Sequence, residues 1–100
     1  MKIIAIEHER PGLSAADFAP HLQAEAARAW ELYQAGTVRE LYFRTDEHSA
    51  VLVLECASLD EARLVLDSLP LVQAGLITFE LVPLAPYPGF ERLFGNGTDA

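Results

Sequence analysis

"LDSLPLVQAGLITFELVPL", residues 66–84, runs from the end of an apolar helical stripe, through a Leu-Pro-Leu break, into a strand-like run. Pro70 lacks the N–H that a helix interior needs, so it stops the helix whose stripe is Ala62, Val65, Leu66 and Leu69. "GLITFELV" at 75–82 is apolar with β-branched and aromatic residues and reads as a closing strand. Working back, Ser58 and Glu61 stand in the Ser-x-x-Glu spacing that starts a helix. Before them, "TVRELYFR" and "AVLVLECA" flank the turn-like "TDEHS" and predict an antiparallel hairpin.

The amino-terminal half has the same logic. "KIIAIEH" at 2–8 is a short β-branched run ending in charge, a buried strand, and "ERPGL" breaks it. Ser14 and Asp17 mark a helix start, and Phe18, Leu22, Ala26, Ala29 and Tyr33 recur on one face, which predicts an amphipathic helix over 15–35. Pro20 falls near its beginning, where a missing N–H does least damage, and Gly36 is placed to end it.

The order is β-α-β-β-α-β, an α+β chain of ferredoxin-like type, and right-handed crossovers put both helices on one face of a four-stranded sheet. Alternation assigns Leu52, Leu54, Ile77, Phe79 and Leu81 to the helix side. Val51, Val53, Glu55, Leu76, Thr78, Glu80 and Val82 fall on the other, and Glu40, Tyr42 and Arg44 share a side of the second strand. The second face is too apolar for water and too polar for a plain core, the composition of a subunit interface enclosing a wet cavity. A homodimer, or a higher oligomer, is the expectation. Residues 1–94 make one domain, and its tail at 83–94, with Pro83, Pro86, Tyr87, Pro88, Phe90 and Phe94, is expected to lie across the partner. The polar "GNGTDA" at 95–100 is expected to be a flexible terminus.

Composition narrows the partners. A chain of 100 residues holds one core, and 15 acidic against 7 basic side chains, a formal charge of −8, disfavour nucleic acid and anionic membrane surfaces. No apolar stretch approaches the roughly 20 residues of a spanning helix, and "MKIIAIEHERPG" turns charged too soon for a signal peptide, so a cytoplasmic location is expected. The lone Cys56 sits in an apolar run and reads as a buried structural thiol.

With "LDSLPLVQAGLITFELVPL" as its best local marker, the chain from residue 1 to about 90 resembles the dimeric α+β barrel proteins, and among them the muconolactone isomerase-like group. Where those isomerases follow the exit with Phe-Pro-Tyr, this chain has Val72-Gln73-Ala74. The resemblance implies two sheets packed face to face across a dimer, no obligatory cofactor, and a small organic ligand in a cavity beside the sheet.

His21, Glu25 and Arg28 lie four and then three residues apart and form a row on the first helix. A carboxylate one turn from an imidazole orients it for acid or base work, so His21 and Glu25 are the candidate catalytic pair. The bland reading is a solvated helix flank held by pairs of about 0.3 kcal/mol. Trp30, Tyr42, Arg44 and Glu80 are the candidate ligand-binding residues, with core-edge packing and intersubunit ion pairs as their structural alternatives. His8 and His48 read as surface residues. No metal-type spacing, phosphate loop or nucleophile elbow occurs, so no metal site is assigned. The expected function is a cofactor-independent isomerase moving a proton on a small lactone or carbonyl compound, in a cavity reached by both the helix row and Tyr42. A non-catalytic binding or accessory dimer, and a cofactor-free monooxygenase of the same fold, are the alternatives.

Overall fold

The computed structural model describes residues 1–95, so the flexible terminus expected at 95–100 lies, apart from Gly95, outside the described residues. Strands β1 (Lys2–Glu9), β2 (Val38–Phe43), β3 (Ala50–Glu55) and β4 (Ile77–Leu84) form one antiparallel sheet in the order β2-β3-β1-β4. Helices α1 (Ala15–Phe18) and α2 (Leu22–Gln34) join β1 to β2, helices α3 (Leu59–Asp67) and α4 (Pro70–Gln73) join β3 to β4, and α5 (Glu91–Phe94) ends the tail. This is the expected ferredoxin-like β-α-β-β-α-β order.

One face of the sheet carries the core. Ile3, Ala5, Leu52, Leu54, Ile77 and Phe79 are buried against Leu32 of α2, Ala62 and Leu66 of α3, and Leu71 of α4. Cys56 is buried with them, as expected of a structural thiol. Burial lifts its thiol pKa above the ordinary value, with Glu61 and Glu55 adding to the shift. The Ser58 hydroxyl accepts the Glu61 N–H at 3.1 Å, and the Glu61 carboxylate accepts the Ala57 N–H, so α3 starts where its spacing predicts.

The departures have local causes. The single helix expected over 15–35 is interrupted by a 3-10 turn at Ala19–His21, because Pro20 cannot donate and takes a place in the first positions of a turn. Pro70 both excludes α3 and opens α4 as its first residue. The last strand begins at Ile77 and runs through Pro83 to Leu84, two residues later than expected at each end. Gly75, at φ +74°, turns the chain just before it. Leu76 is therefore off the strand, donates to the Leu71 carbonyl at 3.0 Å, and is buried in the core instead of on the opposite face. Pro83 is tolerated because β4 is an edge strand.

A bulge fixes β2. Val38 is opposite Leu54, yet Glu40 is opposite Val53, which leaves Arg39 extra. Without it, period-2 alternation from Val38 would send Glu40 and Tyr42 toward the helices. With it, Leu41 pairs Leu52 and Phe43 pairs Ala50 on the helix side, and Glu40 and Tyr42 turn to the open side.

Leu54 is wholly buried at the centre of this packing. Leu54→Ala should cost about 2–5 kcal/mol of unfolding free energy, measured by urea titration. A loss below about 1 kcal/mol would mean that the core lies elsewhere.

Candidate functional site

The helix side of the sheet is not filled throughout. The pairing of β1 with β3 ends at Ile6 opposite Val51. Beyond it, side chains replace the ladder: Ser49 Oγ donates to the Glu7 carbonyl at 2.6 Å, and the Ala50 N–H donates to Glu7 Oε1 at 2.9 Å. The β2–β3 hairpin diverges from β1 at this point. A cavity of about 660 Å³ extends from there beneath α1 and α2, with walls that include Phe18, Leu22, Leu41, Phe43, Leu52 and Phe79.

Three carboxyl groups, Glu7, Glu9 and Glu25, line this mainly apolar space, with His48 at its rim. Glu7 is only 6% exposed. Glu25 comes from α2, where Oε1 accepts the Leu71 N–H at 2.9 Å. Pro70 has no N–H, so that of Leu71 is the first free donor of α4, and Glu25 caps it. Each of these two carboxyls is thus fixed by one backbone amide through Oε1, and among the described residues Oε2 of each receives no hydrogen bond.

Burial pushes the Glu7 carboxyl above the ordinary carboxylate range; the Ala50 N–H opposes the shift, the charges of Glu9 and Glu25 reinforce it, and His48 opposes it. Burial raises Glu25 in the same way, against the Leu71 N–H and the nearby His21. Two carboxyls displaced upward in a mainly apolar cavity keep a proton to higher pH than solvated glutamates do, which suits acid/base work.

Of the residues singled out from sequence, the structure brings only Glu25 to the cavity lining. His21, the last residue of the 3-10 turn, is close enough for its charge to act on Glu25 but does not line the space. Arg28 turns away from the row, donating to Ser68 Oγ at 2.9 Å and Glu31 at 3.2 Å, and so ties α2 to the end of α3. Trp30 is 58% exposed and stacks on Tyr33 at 5.8 Å on the outside of α2. Tyr42, Arg44 and Glu80 are not at the cavity either, which β2 meets with Leu41 and Phe43. Tyr42 donates to Glu40 at 2.6 Å, a bond that makes the phenol harder to ionise. Arg44 is held by Asp46 and Glu47 in the hairpin, and Glu80 contacts His8 at 3.0 Å. A cavity reached by both the helix row and Tyr42 is therefore not what forms, because the bulge at Arg39 turns Tyr42 to the opposite face.

Glu7 and His48 are the residues that sequence reasoning missed. The signal for Glu7 was its place in the series Ile3-Ala5-Glu7, the inward positions of β1. The alternate series Ile4-Ile6-His8 looked equally buried, so alternation alone gave no reason to prefer either. His48 lies on the hairpin, 5.1 Å from Phe43 between ring centres and 3.5 Å from Glu9 Oε2.

The opposite face carries Ile4, Ile6, Val51, Val53 and Val82, side by side in the β3-β1-β4 register. Polar pairs frame it, among them the amino terminus with Glu55 at 2.5 Å, which lowers that carboxyl, and His8 with Glu80. The tail leads away with Tyr87 and Phe90 edge to face at 5.0 Å, both largely exposed, and Phe94 is 84% exposed. The Tyr87 ring lies where a Cβ on Gly89 would be.

Among the described residues, no helix is long and apolar enough to cross a membrane, and no group of three or more His, Cys, Asp or Glu side chains is arranged to hold a metal ion.

Comparison with known proteins agrees with this architecture. The family model for muconolactone delta-isomerase matches residues 4–89. A muconolactone isomerase crystal structure superposes with a TM-score of 0.73 at 21% identity, over 88% of this chain and 92% of that one. The 5-chloro-2-hydroxyhydroquinone dehydrochlorinase of Burkholderia phenoliruptrix, solved with 2,5-dihydroxybenzoquinone, superposes with a TM-score of 0.67 at 19% identity, over 89% of this chain and 98% of that one. No curated protein sequence matches.

The Glu7 environment sets a pH signature. A carboxyl whose pKa is raised on folding contributes stability fully present below its unfolded value, near 4.5, and lost as pH rises through the folded value. Glu7→Gln keeps an oxygen for the Ala50 N–H and removes the charge. The variant should match the parent near pH 4 and become the more stable protein toward pH 8, in urea unfolding compared across that range. A parent that gains on the variant as pH rises would show that the charged form is favoured in the fold.

Proposed function

The chain belongs to the muconolactone delta-isomerase family, and on that premise we propose that it is a small-molecule enzyme that isomerises a lactone or related carbonyl compound by proton transfer, without a cofactor. The observation that carries this reading is the mainly apolar cavity lined by Glu7 and Glu25, each with one oxygen that receives no hydrogen bond from the described residues.

Glu25 is the acid/base. Its carboxylate removes a proton from carbon next to the carbonyl, the electron pair passes into the conjugated enolate, and the same carboxyl returns the proton at the far end of the shifted double bond. The Leu71 N–H holds the group in place, and a pKa above the ordinary range makes it a better base than a solvated glutamate. His21 acts through Glu25, since a positive charge at that position favours the carboxylate. The mainly apolar walls position the ring.

A second reading, a binding protein without catalysis, is supported by the cap that Glu25 gives to α4, a role that needs no substrate. Solvent deuterium entering the enolisable position of small lactones, followed by NMR, separates the two. Glu25→Gln should slow that exchange by about 100-fold or more while ligand binding persists. Exchange at an unchanged rate in the variant would remove Glu25 from the reaction, and binding with no exchange in the parent would favour the non-catalytic reading.

The open face is assigned to a homodimer. Val53 and its apolar neighbours would meet their copies in a second protomer, with Tyr42, Arg44 and Glu80 at or near the rim of that contact. We assign the tail, with Tyr87, Phe90 and Phe94, to the partner's surface. Val53→Asp should dissociate the dimer, and truncation after Leu84 should weaken it with the sheet intact, both by sedimentation velocity combined with circular dichroism. A parent sedimenting as an 11.0 kDa monomer at micromolar concentration would refute the assembly.

A further inference from the structure

We infer that Glu7, in its protonated form, is a second catalytic residue, donating a hydrogen bond from Oε2 to the oxygen on which the enolate charge collects. The inference rests on the reading above that Glu25 moves a proton in this cavity, and it gives a task to the carboxyl which that reading leaves idle.

The place of the proton follows from the hydrogen bonds. Glu7 Oε1 accepts the Ala50 N–H at 2.9 Å, and a donor on that side leaves no room for a second hydrogen between the two atoms. A neutral Glu7 therefore carries its proton on Oε2. Among the described residues no fully buried side-chain oxygen is without a hydrogen-bond partner, so Oε2, which receives none, keeps some exposed surface. Glu7 lines the cavity, and that surface is what a ligand oxygen can reach. The residue is held from several sides: the Ser49 hydroxyl bonds its backbone carbonyl at 2.6 Å, and Phe79 stands opposite it on β4. A donor fixed before the reaction needs no reorganisation as charge develops.

The two carboxyls meet the cavity from different layers, Glu7 from β1 and Glu25 from α2, and their surroundings divide the roles. Glu7 is buried and Glu25 half-buried. The charges of Glu9 on β1 and Glu25 on α2 disfavour an ionised Glu7, and His48 on the hairpin favours it; these are the titratable groups whose charges reach it. At Glu25, His21 favours the ionised form. Of the two, Glu7 is the one to keep its proton and Glu25 the one to give it up, an acid and a base in one site. Glu25 takes the proton from carbon, the C–H pair becomes the new C=C bond, and the carbonyl π pair moves to the oxygen bonded by Glu7. That pair then restores C=O, the π pair at the far carbon takes the proton back from Glu25, and Glu7 ends with the proton it began with.

The test follows deuterium exchange and double-bond migration in α-angelica lactone, a β,γ-unsaturated γ-lactone, by NMR on the full chain from about pH 5 to about pH 9. In the parent, kcat/KM should rise as Glu25 ionises and fall by about tenfold per pH unit once Glu7 has lost its proton. Glu7→Gln keeps an acceptor for the Ala50 N–H and offers an N–H that does not titrate. Its kcat/KM should be about tenfold lower at the parent's optimum and should lose the falling limb, whereas a residue that only held the hairpin would leave the profile its shape. His48→Gln, which removes the imidazole at the rim, should keep that limb. Independently of any ligand, NMR titration of the two side-chain carboxyls should find Glu7 holding its proton to higher pH than Glu25. A falling limb retained in Glu7→Gln or lost in His48→Gln, or a Glu25 that titrates above Glu7, would overturn the inference and leave the cavity as the site of proton transfer. No exchange in the parent at any pH would overturn the inference together with that reading.

Discussion

The hydrogen bond from the Ala50 N–H to the Glu7 carboxyl is the contact on which the cavity depends. It stands where the β1–β3 ladder would otherwise have continued, next to the Ser49 hydroxyl bonded to the Glu7 carbonyl. A side chain reaches farther than a backbone carbonyl, so the hairpin stays attached to β1 while its backbone moves away. Phe43, His48 and Ala50 then border an opening instead of closing a sheet. The same carboxyl that secures the divergence becomes the buried polar group of the space it creates. One of its oxygens is used by the fold, and the other receives no hydrogen bond from the described residues.

The bulge at Arg39 decides what the rest of the hairpin contributes. A strand has only two faces, and one extra residue exchanges them for everything that follows. Here the exchange gives Leu41 and Phe43 to the cavity and Glu40 and Tyr42 to the open side. Both sheet faces end up apolar at their centres, but they differ in what covers them. Helices α2, α3 and α4 cover one, and the residues Ile4, Val53 and Val82 of the other are of a kind that water does not favour.

The β-α-β-β-α-β order was legible because its signals are local: cap spacing at Ser58 and Glu61, the Pro70 break, and β-branched runs bounded by turns. Leu52, Leu54, Ile77 and Phe79 were assigned to the helix side correctly by alternation. Leu76 was not, because a positive-φ turn at Gly75 ends before the strand begins, and no count of apolar residues reveals that. Glu25 could be picked out by its helical spacing from His21, but whether it faced the cavity or solvent depended on α4 offering the Leu71 N–H, a contact 46 residues away. Glu7 was obscured by physics of another kind. In a strand apolar on both sides, a terminal glutamate looks like the solvated end of the run, and only its place opposite Phe79 and the bond from the Ala50 N–H show it inside.

Two half-paired carboxyls are an expensive way to hold a loop and cap a four-residue helix. A serine or asparagine supplies an acceptor oxygen for a backbone amide without a charge to desolvate. In a chain that already carries a formal charge of −8, a buried Glu7 and a half-buried Glu25 whose charges oppose one another add to the electrostatic strain of folding. What a glutamate offers beyond an amide is a second oxygen with a titratable proton. Both Glu7 and Glu25 direct their bonded oxygen to the backbone, and the second oxygen of each receives no hydrogen bond from the described residues. The geometry therefore uses on the fold the acceptor capacity that any polar residue has, and leaves each of these cavity-lining glutamates with a titratable oxygen that the fold does not use.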